Sequence, residues 1–251
     1  MVGRYLSPDS YYSHGFLIPF VSGYLIWLKR EEIETVQART SWFGFALVIF
    51  AALVHLFGTA VYIFSVSGFS IWVLLFASYL FMFGWERTKK ISFPLLYLIF
   101  MFPAPLALIT MISFPLKMFV ANYGVKLVQL TGIPIFQEGF NIIIPQGALL
   151  VGNPCSGLRS LIAFLALGSL FAYMSNLSNT RKWVLFFLSV PVALFSNLIR
   201  VPILILWSYQ FGLAAAAPDT LVHTGSGVFV FVLGIMLLFF AMYFLGVTRE
   251  D

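Results

Sequence analysis

Val151-Gly152-Asn153-Pro154-Cys155-Ser156-Gly157-Leu158-Arg159-Ser160 marks the point where the chain changes character. Before it, apolar residues come in short runs broken by turn formers; after it, a stretch of membrane-helix character runs to Met174. Asn153-Pro154 forms a turn, and a residue that precedes proline is pushed out of the helical region, so a helix starts only beyond it. The stretch holds the chain's one cysteine. Arg159 follows four residues later, on the same helical face once the helix has begun. A helix N-terminus carries partial positive charge, and a guanidinium adds to it; both favour thiolate over thiol. Cys155 is therefore a candidate nucleophile, set against the plainer reading of a small buried hydrophobe.

Composition fixes the class. With 61 % hydrophobic and 9 % charged residues and a mean hydropathy of +0.98, the chain reads as one integral membrane domain over residues 1–251. A lone cysteine excludes an internal disulfide and a cysteine-cluster metal site. The formal net charge is +5, but the basic residues sit in short loops between apolar runs. They report topology rather than nucleic-acid binding. Residues 1–13 lack the basic region and cleavage site of a signal peptide.

Apolar runs at residues 16–28, 42–66, 71–85, 91–112, 160–174, 183–207 and 222–246 are the expected spans. The first is short against the roughly 20 residues a straight span needs, so it is either a tight span or a tilted partial insertion. Residues 65–70 read as a small polar turn, and Pro94, Pro103 and Pro105 bend the fourth run. Over residues 114–130, Lys117, Asn122, Lys126 and Gln129 alternate with apolar residues at near-helical spacing, which predicts an amphipathic helix lying in the interface. Residues 133–144 read as a β-hairpin about Glu138-Gly139, with a third short strand at 148–151. Strand edges have no place in lipid, so this piece lies in water or against protein. The expected fold is an all-α polytopic membrane protein of about seven to eight transmembrane helices, with an interfacial helix and a small extracytoplasmic β-hairpin. Those last two fall at residues 113–152, and the helices that carry the chemistry at 153–246.

The positive-inside rule orients the runs. Lys29, Arg30, Arg39, Arg87, Lys89, Lys90, Arg181, Lys182 and Arg249 mark the cytoplasmic side, leaving Arg4, Lys117 and Lys126 opposite. The two sets alternate only if residues 114–130 do not add a crossing. The hairpin and Cys155 are then extracytoplasmic, Arg200 lies in the outer half of its span, and His223 opens the last span from the same side. Cys155, Arg200 and His223 are expected at one depth.

Each has its chemistry. An arginine within a span costs about 2.5–3.5 kcal/mol on insertion scales, which marks Arg200 as functional unless it snorkels to the interface. Asn197, one turn earlier, either orients it or bonds a backbone group, and Pro202 frees a carbonyl beside it. His223 precedes Thr224-Gly225-Ser226-Gly227, small residues that permit close approach, and an imidazole moves protons near neutral pH. His14, on the outer side of the first run, is a weaker candidate; His55, mid-span, suits packing or hydrogen bonding. Glu138, Asp219 and His14 offer no recognised ligand spacing with Cys155 and His223, so no metal is expected.

These residues resemble a known family. Cys155 in Asn-Pro-Cys-Ser-Gly-Leu-Arg-Ser, Arg200 in Asn-Leu-Ile-Arg-Val, and His223 four residues before Gly227 are similar to the three signature positions of exosortases and archaeosortases. Tyr12-Ser13-His14-Gly15 with Pro19, Met101-Phe102-Pro103-Ala104-Pro105, Pro115-Leu116-Lys117 and residues 147–151 extend the resemblance over nearly the whole chain. It implies a plasma-membrane cysteine transpeptidase without cofactor or metal. Such an enzyme cleaves C-terminal sorting signals of exported proteins (a PEP-CTERM-like motif, an apolar helix, a basic tail) and passes them to an amine acceptor; bacterial members are linked to exopolysaccharide production. Cys155, Arg200 and His223 would be catalytic, with Arg159, Asn197, Ser156, Asn153 and His14 supporting or binding substrate. The partners implied are those substrates, the lipid bilayer and an unidentified acceptor, with no nucleic acid. The rival readings are a transporter or assembly subunit with a polar intramembrane pathway, and an intramembrane protease that only hydrolyses.

Overall fold

Long apolar helices joined by short polar loops dominate the architecture, as the composition requires. A computed structural model describes residues 12–150, 157–217 and 220–247. The chain divides into two compact units, Met1–Leu108 and Ile109–Asp251.

The first unit opens with a 3₁₀ turn, Ser13–Phe16, followed by α1 (Leu17–Leu28) and the short α2 (Arg30–Glu34). Then come α3 (Trp42–Ala60), α4 (Phe64–Lys90), α5 (Ser92–Tyr97) and a 3₁₀ turn, Leu98–Met101. Helix α3 starts where the Ser41 hydroxyl accepts a hydrogen bond from Gly44 N at 3.3 Å. Helices α3 and α4 pack closely through glycine: a Cβ on Gly44 would stand 2.5 Å from Phe81 N, and one on Gly58 2.9 Å from Ser67 N. The turn between them is at residues 61–63, where Tyr62 takes φ +58°, and not at 65–70 as the polar residues suggested. Ser67 and Ser70 are helical, bonded to His55 and Thr59 of α3. His55 Nδ1 lies 3.1 Å from both Ser67 O and Ser70 Oγ, the hydrogen-bonding role expected for this histidine.

Helix α5 is interrupted soon after Pro94, and its carbonyls find other donors. Ser22 Oγ donates to Pro94 O at 2.8 Å, and Trp72 Nε1 to Leu95 O at 2.8 Å. Phe102, before Pro103, is extended. The run at 91–112 is thus not one helix.

Residues 106–129 form α6 (Leu106–Gln129), continuous through Pro115. The separate interfacial helix expected over 114–130 does not exist; those residues are the C-terminal half of α6. The reason lies in what the polar side chains meet. Strands β1 (Phe136–Glu138), β2 (Asn141–Ile144) and β3 (Gly147–Leu150) form an antiparallel sheet in the order β1-β2-β3. Phe136 pairs with Ile143, and Ile142 with Leu149. Gly139 takes φ +59° at the first of two loop residues, where a tight hairpin favours glycine. The hairpin lies along α6. Gln129 Nε2 donates to Ile135 O at 3.4 Å, Gln137 Nε2 to Asn122 Oδ1 at 2.7 Å, and the Phe140 ring meets Phe114 at 5.2 Å and Lys117 Nζ at 5.8 Å. These contacts run about 22 Å along the helix at 1.5 Å per residue. Strand edges cannot be satisfied in hydrocarbon, so this half of α6 belongs where water or protein reaches it.

The second unit continues with α7 (Leu158–Met174), α8 (Asn179–Phe211), a 3₁₀ turn at Leu213–Ala216, and α9 (Leu221–Val247). The buried face of the sheet (Ile142, Ile144) packs on Val120, Ala121, Val125 and Val128 of α6 and Val201, Leu204 and Ile205 of α8. A second core joins Phe164, Ala193 and Leu238 of α7, α8 and α9. Among the described residues, five helices can cross a membrane by length and composition: α3, α4, α6, α8 and α9. The apolar helices His14–Leu28, Ser92–Met101 and Leu158–Met174 are shorter. This is a mostly helical, multi-span membrane protein with a small antiparallel sheet.

Candidate active site

Helix α8 organises the site. At its start Arg181 Nη1 donates to Leu245 O at 2.9 Å, placing a cation on the C-terminal end of α9. Arg200 lies 19 residues further on, about 28 Å along the axis, close to the thickness of a hydrocarbon core. There Arg200 Nη2 donates to the backbone carbonyl of His223 at 3.2 Å. Two arginines thus tie α8 to α9 at either end.

Small residues make the upper tie possible. A Cβ on Gly227 would already touch Arg200 Nη2 at 3.4 Å and Cζ at 3.5 Å, so a larger side chain there would displace the guanidinium. Ser226 Oγ donates to the same His223 carbonyl at 2.9 Å. Thr220 caps α9: His223 N donates to Thr220 Oγ1 at 3.3 Å, and that hydroxyl donates to Ala217 O at 2.7 Å. The His223 ring places Nδ1 3.4 Å from Ala216 O, in the preceding 3₁₀ turn.

Helix α7 enters this neighbourhood at its N-terminus. Gly157 precedes its first residue with φ +76°, a conformation that L side chains resist. A Cβ there would stand 2.9 Å from Asn197 Nδ2. Asn197 is buried at 3 % exposure, one turn before Arg200. Ser160 Oγ donates to Gly157 O at 2.9 Å, closing the first turn. Arg159, also in that turn, is half-buried.

The described part of the site holds two guanidiniums. Arg200 touches the first turn of α9, and Arg159 lies in the first turn of α7, beside the partial positive charge of each helix N-terminus. Such an arrangement favours an anion: a thiolate, or the oxyanion of a carbonyl under attack.

Of the residues expected from sequence, Arg200 and His223 come into direct contact, and Asn197 meets the residue two places after Cys155. Cys155, Ser156 and Asn153 lie outside the described residues. His14 is in the first unit, in the 3₁₀ turn before α1, with its ring 6.1 Å from that of Tyr12. Thr220 and Ala216 were not anticipated. A cap was readable, since a threonine three residues before the histidine fits an N-cap facing the N3 position; the Ala216 contact is made by a backbone carbonyl and leaves no trace in residue type.

A family model described as transmembrane exosortase matches residues 6–240. The chain belongs to the transmembrane exosortase family. No curated protein and no solved structure matches this exosortase. The match spans the segment with Cys155 as well as Arg200 and His223, so the resemblance drawn from the three signature stretches holds.

Proposed function

We propose that this exosortase is a cysteine transpeptidase of the plasma membrane, with its site on the extracytoplasmic side. Cys155 Sγ attacks the scissile carbonyl of a sorting signal, and His223 takes the thiol proton. The C–N bond breaks, a thioester forms, and His223 returns the proton to the leaving amine. An acceptor amine then attacks the thioester and frees the thiol. Arg200 stabilises the oxyanion from a position that needs no reorganisation, a contribution of roughly 10²–10³ in rate for one such donor. Asn197 and Arg159 shape the entry of α7, and Ser156 and Asn153, beside the cysteine in sequence, are supporting or substrate-binding residues. The substrates are exported proteins ending in a short motif, an apolar helix and a basic tail, and the three-stranded sheet is the candidate reader of the motif through strand addition.

One observation carries this reading. Arg200 and His223 touch, and Gly157, two residues from the cysteine, abuts Asn197 one turn from Arg200. The start of α7, the Arg200 cation and the His223 backbone thus come from three separate chain segments, which supports a shared site.

The transporter reading would draw on the buried serines of α8, since the Ser189, Ser196 and Ser208 hydroxyls make no hydrogen bond among the described residues. Two of them sit where the helices approach most closely. A Cβ on Gly168 would collide with Ser189 Oγ, and one on Gly234 would lie 2.9 Å from Ser196 Oγ. At these two points the stripe is packed against a neighbouring helix, which speaks against an aqueous passage there.

The test is co-expression with an exported protein carrying such a C-terminal signal. Cys155→Ala and Cys155→Ser should leave it full-length in the membrane, and processing that survives both changes removes the nucleophile. Mass spectrometry of the wild-type product separates transfer, which leaves an attached amine, from hydrolysis, which leaves a free acid.

A further inference from the structure

His223 can serve as a base only if the correct ring nitrogen carries its lone pair. A backbone carbonyl can only accept, so the 3.4 Å approach of Nδ1 to Ala216 O is a hydrogen bond in the tautomer that carries its proton on Nδ1. In the neutral ring Nε2 is then the proton acceptor. What sets that geometry is the junction between the 3₁₀ turn and α9. Thr220 spans it, accepting from His223 N at 3.3 Å and donating to Ala217 O at 2.7 Å. One hydroxyl therefore fixes both the backbone of the histidine and the residue next to its ring acceptor. Ala216 is itself anchored, at 6 % exposure, in the core beneath the sheet. A cysteine–histidine pair is commonly completed by a third group that orients the imidazole.

We infer that Thr220 is a positioning residue, which clamps the 3₁₀ turn to α9 so that the Ala216 carbonyl holds His223 with its proton on Nδ1 and Nε2 available to take a proton. The ring geometry is independent of any reaction; its chemical purpose rests on the cysteine transpeptidase reading.

Nitrogen NMR of histidine-labelled protein in detergent reads the tautomer directly, with His223 assigned by loss of its signals in His223→Gln. The expected result is the Nδ1-protonated neutral ring in the wild type, and the Nε2-protonated tautomer would overturn the proposal. Processing of a sorting-signal protein supplies the second arm. Thr220→Val keeps the shape and removes the hydroxyl, and should slow processing at least about tenfold, below the roughly 10⁴ lost when a catalytic histidine is held in the wrong tautomer. Thr220→Ser restores the hydroxyl and should recover to within about threefold of wild type, as expected for a cap exchange. Equal losses in the two variants, or none in Thr220→Val, would overturn it. Should Thr220→Val fail to fold, the wild-type tautomer and the Thr220→Ser rate still decide. If His223→Gln processes normally while the tautomer is as expected, the catalytic reading fails and the positioning stands.

Discussion

Arg200 and His223, 23 residues apart in sequence, are joined by a hydrogen bond from the guanidinium Nη2 to the histidine's backbone carbonyl at 3.2 Å. The bond engages one donor of five in a planar fork. The cation is thereby located relative to the imidazole through the backbone of α9, without consuming the ring nitrogens. Holding the two groups at a fixed spacing is the requirement for a preorganised oxyanion site.

Arg200→Lys keeps the charge and loses the fork. An ammonium that reaches the His223 carbonyl cannot present a second donor in the same plane. Processing of a sorting-signal substrate should fall by about 10²–10³, the usual cost of losing an oxyanion donor. Stability should drop by no more than about 3 kcal/mol, the upper net worth of a hydrogen bond from a charged group, since Ser226 still donates to that carbonyl. Near-normal processing by the lysine variant would show that charge alone suffices.

Cys155 should be unusually reactive. On the proposed reading the N-terminus of α7 and the Arg159 and Arg200 guanidiniums would favour its thiolate, whereas an ordinary thiol ionises near pH 8.5. A membrane-impermeant maleimide should label Cys155 in intact cells faster than an unactivated thiol at pH 7, and substrate should protect it. Arg200→Gln should slow labelling by about three- to tenfold, as loss of a nearby cation raises a thiol's pKa. Labelling only after permeabilisation would place the site on the other face.

Gly157→Ala tests the entry to α7. The alanine must adopt φ +76°, at a cost of about 1 kcal/mol or more, and its methyl group presses on Asn197 Nδ2. Stability and Cys155 labelling should both fall. Asn197→Ser in the same chain should relieve the steric part and leave the backbone part. If the double variant is no better than the single, the Gly157–Asn197 approach is not what fixes the loop.

How far the sequence reached is clearest in particular residues. Glu138-Gly139 declared the hairpin because a tight turn favours glycine at a positive φ. Arg200 and His223 could be placed together because basic loops set the direction of each span, and direction sets depth. Helix α6 was misread because Lys117, Asn122 and Gln129 looked like a solvent-facing break; they remain within one helix that the hairpin runs along and bonds to, a contact between distant segments that periodicity cannot show. The serines at 65–70 looked like a turn for the same reason, with His55 as the absent partner.

A close three-helix contact in the second unit offers the last prediction, and it bears on enzyme against pore. A methyl group at Gly234 would run into the ring of Phe164 and stand 2.9 Å from Ser196 Oγ, so α7, α8 and α9 touch at one buried point. Gly234→Ala should destabilise the protein in detergent by about 1–3 kcal/mol through overpacking, read as a lower unfolding midpoint. Phe164→Leu, which withdraws the colliding ring, should cost stability alone through its cavity yet recover part of the loss in the double variant, because residues in contact couple by about 0.5–3 kcal/mol. A water-filled pathway through this point would accept the methyl group freely. An unchanged midpoint in Gly234→Ala, or strict additivity with Phe164→Leu, would reopen the transporter reading, because the stripe of serines on α8 would then have room beside it.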